Sequence, residues 1–134
     1  MAHYAFIDEN NIVKAVYAGV DENDLSELPD GVSSWEEHLT SINTDGLTCK
    51  RTSINTFANE HKEGGTPFRG NYAVIGAVYD SVNDIFHHGQ PFESWTLDTN
   101  DWTWKAPKPH PREIDPDDPN GWEWSEEAQD WVTV

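Results

Sequence analysis

One spacing recurs along this chain and limits how it can fold: a large apolar residue, a short acidic turn, and a second large apolar residue. It occurs four times, as FIDENNIV (6–13), YDSVNDIF (79–86), WTLDTNDW (95–102) and WSEEAQDW (124–131). Asp and Asn tolerate the backbone conformations of tight turns. We therefore expect four β-hairpins in which the two bulky residues face each other across the strands, each pair contributing about 0.5–1 kcal/mol.

The first frame lies within HYAFIDENNIVKAVYAGV (3–20), where two β-branched and aromatic runs flank the turn. A four-residue loop at positions 8–11 would place Ile7 opposite Ile12. The same register would place Phe6 opposite Val13.

Two segments predict helices. DENDLSELPDG (21–31) has capping residues at its start and ends in Pro and Gly, which suits one short helix. SSWEEHLTSI (33–42) has Ser33 or Ser34 as N-cap and two Glu in its first turn. Its apolar residues are spaced for one helix face, namely Trp35, Leu39 and Ile42.

The middle of the chain predicts two more strands around a loop. GLTCKRTSINTF (46–57) alternates as a strand does, ANEHKEGGTPFRGN (58–71) is rich in Gly and polar residues, and YAVIGAVYD (72–80) is an apolar strand. Its turn SVND leads back through Ile85 and Phe86, so that Tyr79 faces Phe86.

The composition changes after residue 92. Six of the seven Trp follow residue 94, and five of the eight Pro fall between 107 and 119. We expect two short hairpins separated by an extended, polyproline-like strap. The predicted fold is α+β and mostly β: a compact body over residues 1–92, then a Trp- and Pro-rich segment over 93–134. A lone hairpin is marginally stable, so the last ones must dock on the body, a sister subunit or another protein.

Charge and cysteine content exclude several classes of protein. The net charge of −17 disfavours binding to nucleic acid or to an anionic membrane. With Cys49 alone, no disulfide framework forms within the chain. We expect no membrane span and no signal peptide, because no apolar run is long enough. Synthesis in a cytoplasm is compatible with all of these features.

Six tryptophans form the candidate binding group, and two explanations for them stay open. As a flat platform they would stack on sugar rings or on a protein partner; alternatively they clasp across strands and dock onto the body. The six are Trp95, Trp102, Trp104, Trp122, Trp124 and Trp131.

Motifs for catalysis, metal or cofactor are weak. His87 and His88 would point to opposite faces of a strand, and no zinc spacing is present. DPDDPNG (115–121) resembles the start of a calcium loop, but Pro119 replaces a ligand and Glu127 is one position out of register. Lys50 and Arg51 follow Cys49, yet strand alternation hides the thiol. We therefore predict a non-enzymatic protein with no catalytic residues, no metal and no cofactor.

Several segments together resemble a protein family. MAHYAFIDENNIV, TCKRTSINT, GGTPFRGNYA and the tryptophan pattern of the C-terminal third are similar, in the same order, to small proteins of marine tailed bacteriophages, cyanophages especially. The stretch HHGQPF departs from the proline-richer family pattern. The resemblance implies a virion structural or accessory protein, made in the bacterial host, and brings no functional residues with it.

Three functions are consistent with these features. The first is a capsid-decoration or tail protein that assembles in several copies, with other virion proteins as partners, through its aromatic hairpins. The second is a module of the phage tail in which the tryptophans recognise host glycans. The third is an acidic protein that occupies a basic host partner during infection.

Overall fold

The computed structural model describes residues 2–134, and the chain divides into two units. The first comprises the residues up to Gly89 together with Asn100–Trp102, and the second comprises Gln90–Thr99 with Thr103–Val134. The sequence prediction places this boundary after residue 92.

The fold is α+β and mostly β, as predicted, and all paired strands are antiparallel. The first unit contains β1 (Ala2–Ile7), β2 (Val13–Gly19), α1 (Trp35–Ile42), β3 (Thr48–Thr52), β4 (Thr56–Phe57), β5 (Glu60–His61), β6 (Val78–Asp80) and β7 (Ile85–His87). The second contains β8 (Thr96–Asp98), β9 (Thr103–Lys105), α2 (Pro111–Ile114), β10 (Trp122–Ser125) and β11 (Asp130–Thr133).

A three-stranded sheet in the order β2-β1-β3 lies at the centre of the first unit, and its central strand β1 is buried on both faces. Because side chains alternate along a strand, Tyr4 and Phe6 of β1 lie on one face, where Trp35 and Leu39 of α1 pack against them. Residues on the other face, Ala5 among them, pack with the β6–β7 hairpin. The central strand therefore holds together both layers of the core.

Three hairpins share one geometry. Each pairs two bulky residues across the strands, encloses a four-residue loop, and has a residue with positive φ immediately before its second strand. The predicted pairs Tyr79–Phe86 and Trp124–Trp131 are confirmed, with ring centroids 5.2 and 5.5 Å apart.

The third hairpin has a different frame from the predicted one. Trp95 and Trp102 do not face each other; the pair across the strands is Leu97 with Trp104. Trp102 instead occupies the positive-φ position of the loop, at φ 58°. A bulky residue is rare in that conformation. It packs on Gly70, where an added Cβ would lie 3.1 Å from the indole, so the absence of a side chain at position 70 makes room for it.

The register predicted for the first hairpin is also wrong. Ile7 faces Val13, not Ile12, and Phe6 faces Ala15, because a bulge at Lys14 inserts one extra residue into β2. Ile12 forms an isolated bridge with Val78 instead.

Two predicted elements are replaced by turns. Residues 72–77 are not a strand, because Gly76 adopts φ 92° and the chain folds back to exchange two hydrogen bonds with Val13. Residues 21–31 form successive turns rather than a helix, because the side chains of Asp21 and Asp24 accept backbone N–H groups two residues later.

The remaining predicted elements are partly confirmed. Helix α1 has Ser34 as its N-cap, as predicted, but Ile42 is 57% exposed rather than packed. The predicted strand over 46–57 is divided into β3 and β4, and the predicted loop over 58–71 contains β5. The strap is not extended throughout, since α2 forms one helical turn within it. Within residues 2–134, no helix has the length and apolar character needed to span a membrane.

Candidate functional site

The second unit is built around three indole rings, here called the tryptophan cluster: Trp95, Trp124 and Trp131. Their centroids lie 5.5–6.1 Å apart, and the rings meet edge to face. This is the arrangement that the aromatic quadrupole favours. The β10–β11 hairpin places Trp124 and Trp131 opposite each other, and Trp124 is the one buried side chain among the described residues of this unit. The cluster is therefore the core of the unit.

Glu126 ties the cluster to the segment before β8. Its carboxylate accepts hydrogen bonds from Trp124 Nε1 at 2.8 Å and from the hydroxyl and backbone N–H of Ser94 at 2.7 and 3.0 Å. These donors, the indole first, lower the pKa of Glu126 below its ordinary value. The residue is ionised at neutral pH and holds the β10–β11 loop beside Trp95.

The proline strap lies against Trp131. The backbone carbonyl of Lys108 accepts a hydrogen bond from Trp131 Nε1 at 3.0 Å, and the His110 ring packs 4.6 Å from the same indole. The ammonium group of Lys108 lies 3.3 Å from Asp130. An indole that donates to a carbonyl beside proline is a recurring way to hold polyproline segments. Here the indole and the proline segment belong to the same chain.

A cavity of about 250 Å³ opens beside the cluster. Indoles and the His110 imidazole line it, together with Lys105, Lys108 and Glu113. Trp95 Nε1 is buried and has no acceptor within the described residues. Aromatic walls beside two ammonium groups are the chemistry that a small polar or anionic ligand would need.

The six predicted tryptophans do not form one row. Trp95, Trp124 and Trp131 meet in the cluster, and Trp104 lines the same cavity. Trp122 donates its N–H to Asp118 at 3.0 Å, and Trp102 belongs to the first unit. None of the six is more than about a third exposed. A flat, exposed tryptophan platform is therefore not present in this structure.

The first unit contains an ion-pair network that sequence reasoning missed. Arg69 lies 2.7 Å from Glu36 Oε1 and 2.9 Å from Asp84 Oδ1, and it donates to the backbone carbonyl of Arg51 at 2.9 Å. Its side chain is 12% exposed. The available signal was the sequence FRGN, in which an arginine beside Phe68 precedes a glycine in a chain with few basic residues.

The network shapes two neighbouring groups. Arg51 stacks on the Phe68 ring at 3.7 Å and pairs with Glu22 at 3.2 Å. The Tyr79 hydroxyl donates a hydrogen bond to Asp84, and burial, followed by that bond, raises the pKa of Tyr79 to about 12. Tyr79 thus stays neutral at physiological pH. The arrangement joins α1, β3 and the β6–β7 hairpin, which is a structural role.

The weak chemical motifs take structural roles as well. Cys49 is 2% exposed, and burial raises the pKa of its thiol to about 12 despite the neighbouring cations. In DPDDPNG, Asp115 and Asp118 accept backbone N–H groups two residues later. Among residues 2–134, no three His, Cys, Asp or Glu side chains are grouped so that they could hold a metal ion.

No family model, curated protein or solved structure matches this chain.

Proposed function

We propose that this chain is a non-enzymatic structural or accessory protein of a tailed-phage virion, present in several copies as a capsid decoration or tail component. The observation that carries the proposal is the exposure of large apolar side chains in a strongly acidic chain. Val82 is 91% exposed, Ile75 73%, Ile114 76% and Val134 79%. We assign these side chains to contacts with neighbouring subunits, because burial of each apolar group there would be favourable.

The tryptophans have a supporting part in this proposal. The N–H groups of Trp122, Trp124 and Trp131 are engaged inside the second unit, so these indoles make its hairpins rigid and are not the contact groups. The contact groups are the side chains that those hairpins and the strap hold outward, Ile114 and Val134. The acidic surface, with a net charge of −17, favours a position away from packaged DNA.

The test is mass spectrometry of washed phage particles with a copy-number measurement. We expect the protein in the particles at a multiple set by capsid or tail symmetry. Deletion of residues 107–134 should abolish incorporation, and Ile114→Asp should weaken it, whereas Glu113→Asp, a neighbouring change that keeps the charge, should not. Presence in infected-cell extract alone, never in washed particles, would contradict the proposal.

The cavity beside the tryptophan cluster supports a second candidate, recognition of a host-surface glycan with an acidic sugar. Indole walls, Trp104 and Trp131 among them, suit the C–H face of a sugar ring. Lys105 and Lys108 contribute two of the eight basic residues in the chain to this cavity. A carboxylated sugar fits that lining better than a neutral one.

Tryptophan fluorescence with glucuronic acid and glucose as probes tests this candidate. We expect a saturable change with glucuronic acid, a smaller one with glucose, and a loss of the difference in Lys108→Gln. Trp104→Phe leaves a smaller ring in the cavity wall, so it should weaken binding; Trp35→Phe in the first unit is the control. An unchanged spectrum with both sugars would reject glycan binding at this cavity.

A further inference from the structure

The two edges of the central sheet are treated differently. The outer edge of β3 is closed by α1: Cys49 N–H donates to the Thr40 hydroxyl, and Arg51 N–H donates to Glu36 Oε1, both at 2.9 Å. Strand β2 forms the other edge. Open edges invite pairing with another chain, and proteins usually cover or block them.

The hydrogen-bond directions along β2 follow from β3. In an antiparallel ladder, residues alternate between bonding one neighbour and pointing away from it. Cys49 and Arg51 direct their N–H groups outward, toward α1. The residue between them, Lys50, therefore bonds β1, where its partner is Ala5. Tyr4 then bonds the opposite strand through Tyr17. Val16 and Ala18 therefore direct their backbone N–H and C=O groups away from the sheet.

Only the start of this edge is covered. Val13 exchanges hydrogen bonds with Gly76 and Ala77, each 2.9 Å long. Beyond the bulge, the outward groups of Val16 and Ala18 have no partner within residues 2–134. Four backbone groups thus face solvent in a regular strand.

The side chains of this segment also suit pairing. Residues 10–20 contain no Asp or Glu, although the chain has 25, and their single charge is Lys14. No proline blocks the strand. Tyr17 is 62% exposed, and its ring centroid lies 5.8 Å from that of Phe6. The edge is a β-prone strip without carboxylates on an otherwise acidic protein.

We infer that β2 pairs antiparallel with β2 of a second copy of this chain, giving a six-stranded sheet across a two-fold axis. The axis is perpendicular to the sheet, so each residue faces one on the same side of the sheet. With Tyr17 opposite Tyr17 of the second copy, Val16 faces Ala18 in both directions. This register satisfies all four outward backbone groups.

The charge pattern favours a second copy as the occupant. The same register brings Lys14, whose ammonium group lies 3.6 Å from Asp8 of its own chain, opposite Val20 of the other copy and next to its Asp21. The single cation of the strip thus gains a second carboxylate nearby. The rest of each chain repels the other through its negative charge, so pairing should strengthen as salt screens that repulsion. The inference deepens the proposed assembly role by naming one contact.

Sedimentation velocity of the purified chain tests the pairing. We expect a monomer–dimer equilibrium whose dimer fraction rises with salt. Tyr17→Lys, which sets two cations at the axis, should weaken dimerisation at least tenfold, whereas Val82→Lys, at an exposed hairpin tip, should leave it unchanged or nearly so. A chain that stays monomeric at millimolar concentration, or a dimer indifferent to Tyr17→Lys, overturns the inference.

A cysteine at position 17 gives a second readout. Facing residues in a non-hydrogen-bonded antiparallel pair are close enough for a disulfide. Under mild oxidation Tyr17→Cys should form a cross-linked dimer and Val82→Cys should not, while buried Cys49 stays silent. Failure to cross-link with presence in washed particles rejects the β2 pairing and keeps the virion role. A cross-linked dimer that is absent from washed particles supports the β2 pairing and rejects the virion role.

Discussion

Replacing Trp124 by Ala should unfold the second unit and leave the first folded. Removal of a buried Trp side chain costs about 3–5 kcal/mol, and Trp124 is 6% exposed and packs on two other indoles. A unit of about 40 residues has a stability of roughly 2–6 kcal/mol. The loss is thus comparable with the whole stability of the unit. The first unit keeps its own core, to which Trp124 does not contribute.

Two-dimensional ¹⁵N–¹H spectra measure the outcome residue by residue. We expect the amide resonances of β10 and β11 to collapse to unfolded positions, and those of β1–β3 to stay dispersed. The Trp35 indole resonance reports on the first unit in the same spectrum. Trp122→Ala is the control. This half-buried residue begins β10, its indole N–H donates to Asp118, and it lies outside the tryptophan cluster.

A milder change separates packing from hydrogen bonding. Trp124→Phe keeps most of the buried ring and removes the N–H that Glu126 accepts, so it should cost about 1–2 kcal/mol. If Trp124→Ala left β10 and β11 dispersed, the tryptophan cluster would not be the core of the unit. The indoles would then be free to serve as contacts between chains.

Three further perturbations follow from the structure. Arg69→Met leaves the carboxylates of Glu36 and Asp84 without their cation; urea unfolding should show a loss of about 2–3 kcal/mol, less than for a fully buried pair because Asp84 is 56% exposed. The lowered pKa of Glu126 means that its contribution to stability is complete above the ordinary carboxyl pKa and is lost as pH falls through the folded value. Urea unfolding at a series of pH values should therefore show the second unit weakening in acid, and Glu126→Gln should reduce that pH dependence. Cys49, whose pKa is raised to about 12, should react with a thiol reagent at neutral pH only as fast as the first unit opens; immediate reaction in the folded protein would contradict its burial.

Features set by neighbouring residues were predictable from the sequence. The Ser34 cap of α1 depends on residues within one turn, and the Tyr79 and Trp124 hairpins depend on bulky residues around a four-residue turn. Local chemistry is enough in these cases, because cap and turn are satisfied by side chains a few positions away.

Features set by distant residues were not predictable. The frame of the third hairpin depends on Gly70, which accommodates Trp102 in a conformation that tryptophan rarely adopts. The predicted strand at 72–77 gives way to a turn because Val13, more than sixty positions before Gly76, takes its backbone hydrogen bonds. The contact of Trp95 with the β10–β11 hairpin also depends on residues far apart in the sequence. The sequence shows that the tryptophans are present but not which of them pack together.

The covering of the β3 edge by α1 determines where growth of the central sheet stops. A second copy that pairs through β2 uses the one open edge of this sheet. The β3 edge of each copy is already closed, because Thr40 and Glu36 accept its outward N–H groups. Addition of a third copy to the same sheet has no place to begin. The contact is consequently self-limiting, and at high concentration it yields discrete pairs rather than fibrils.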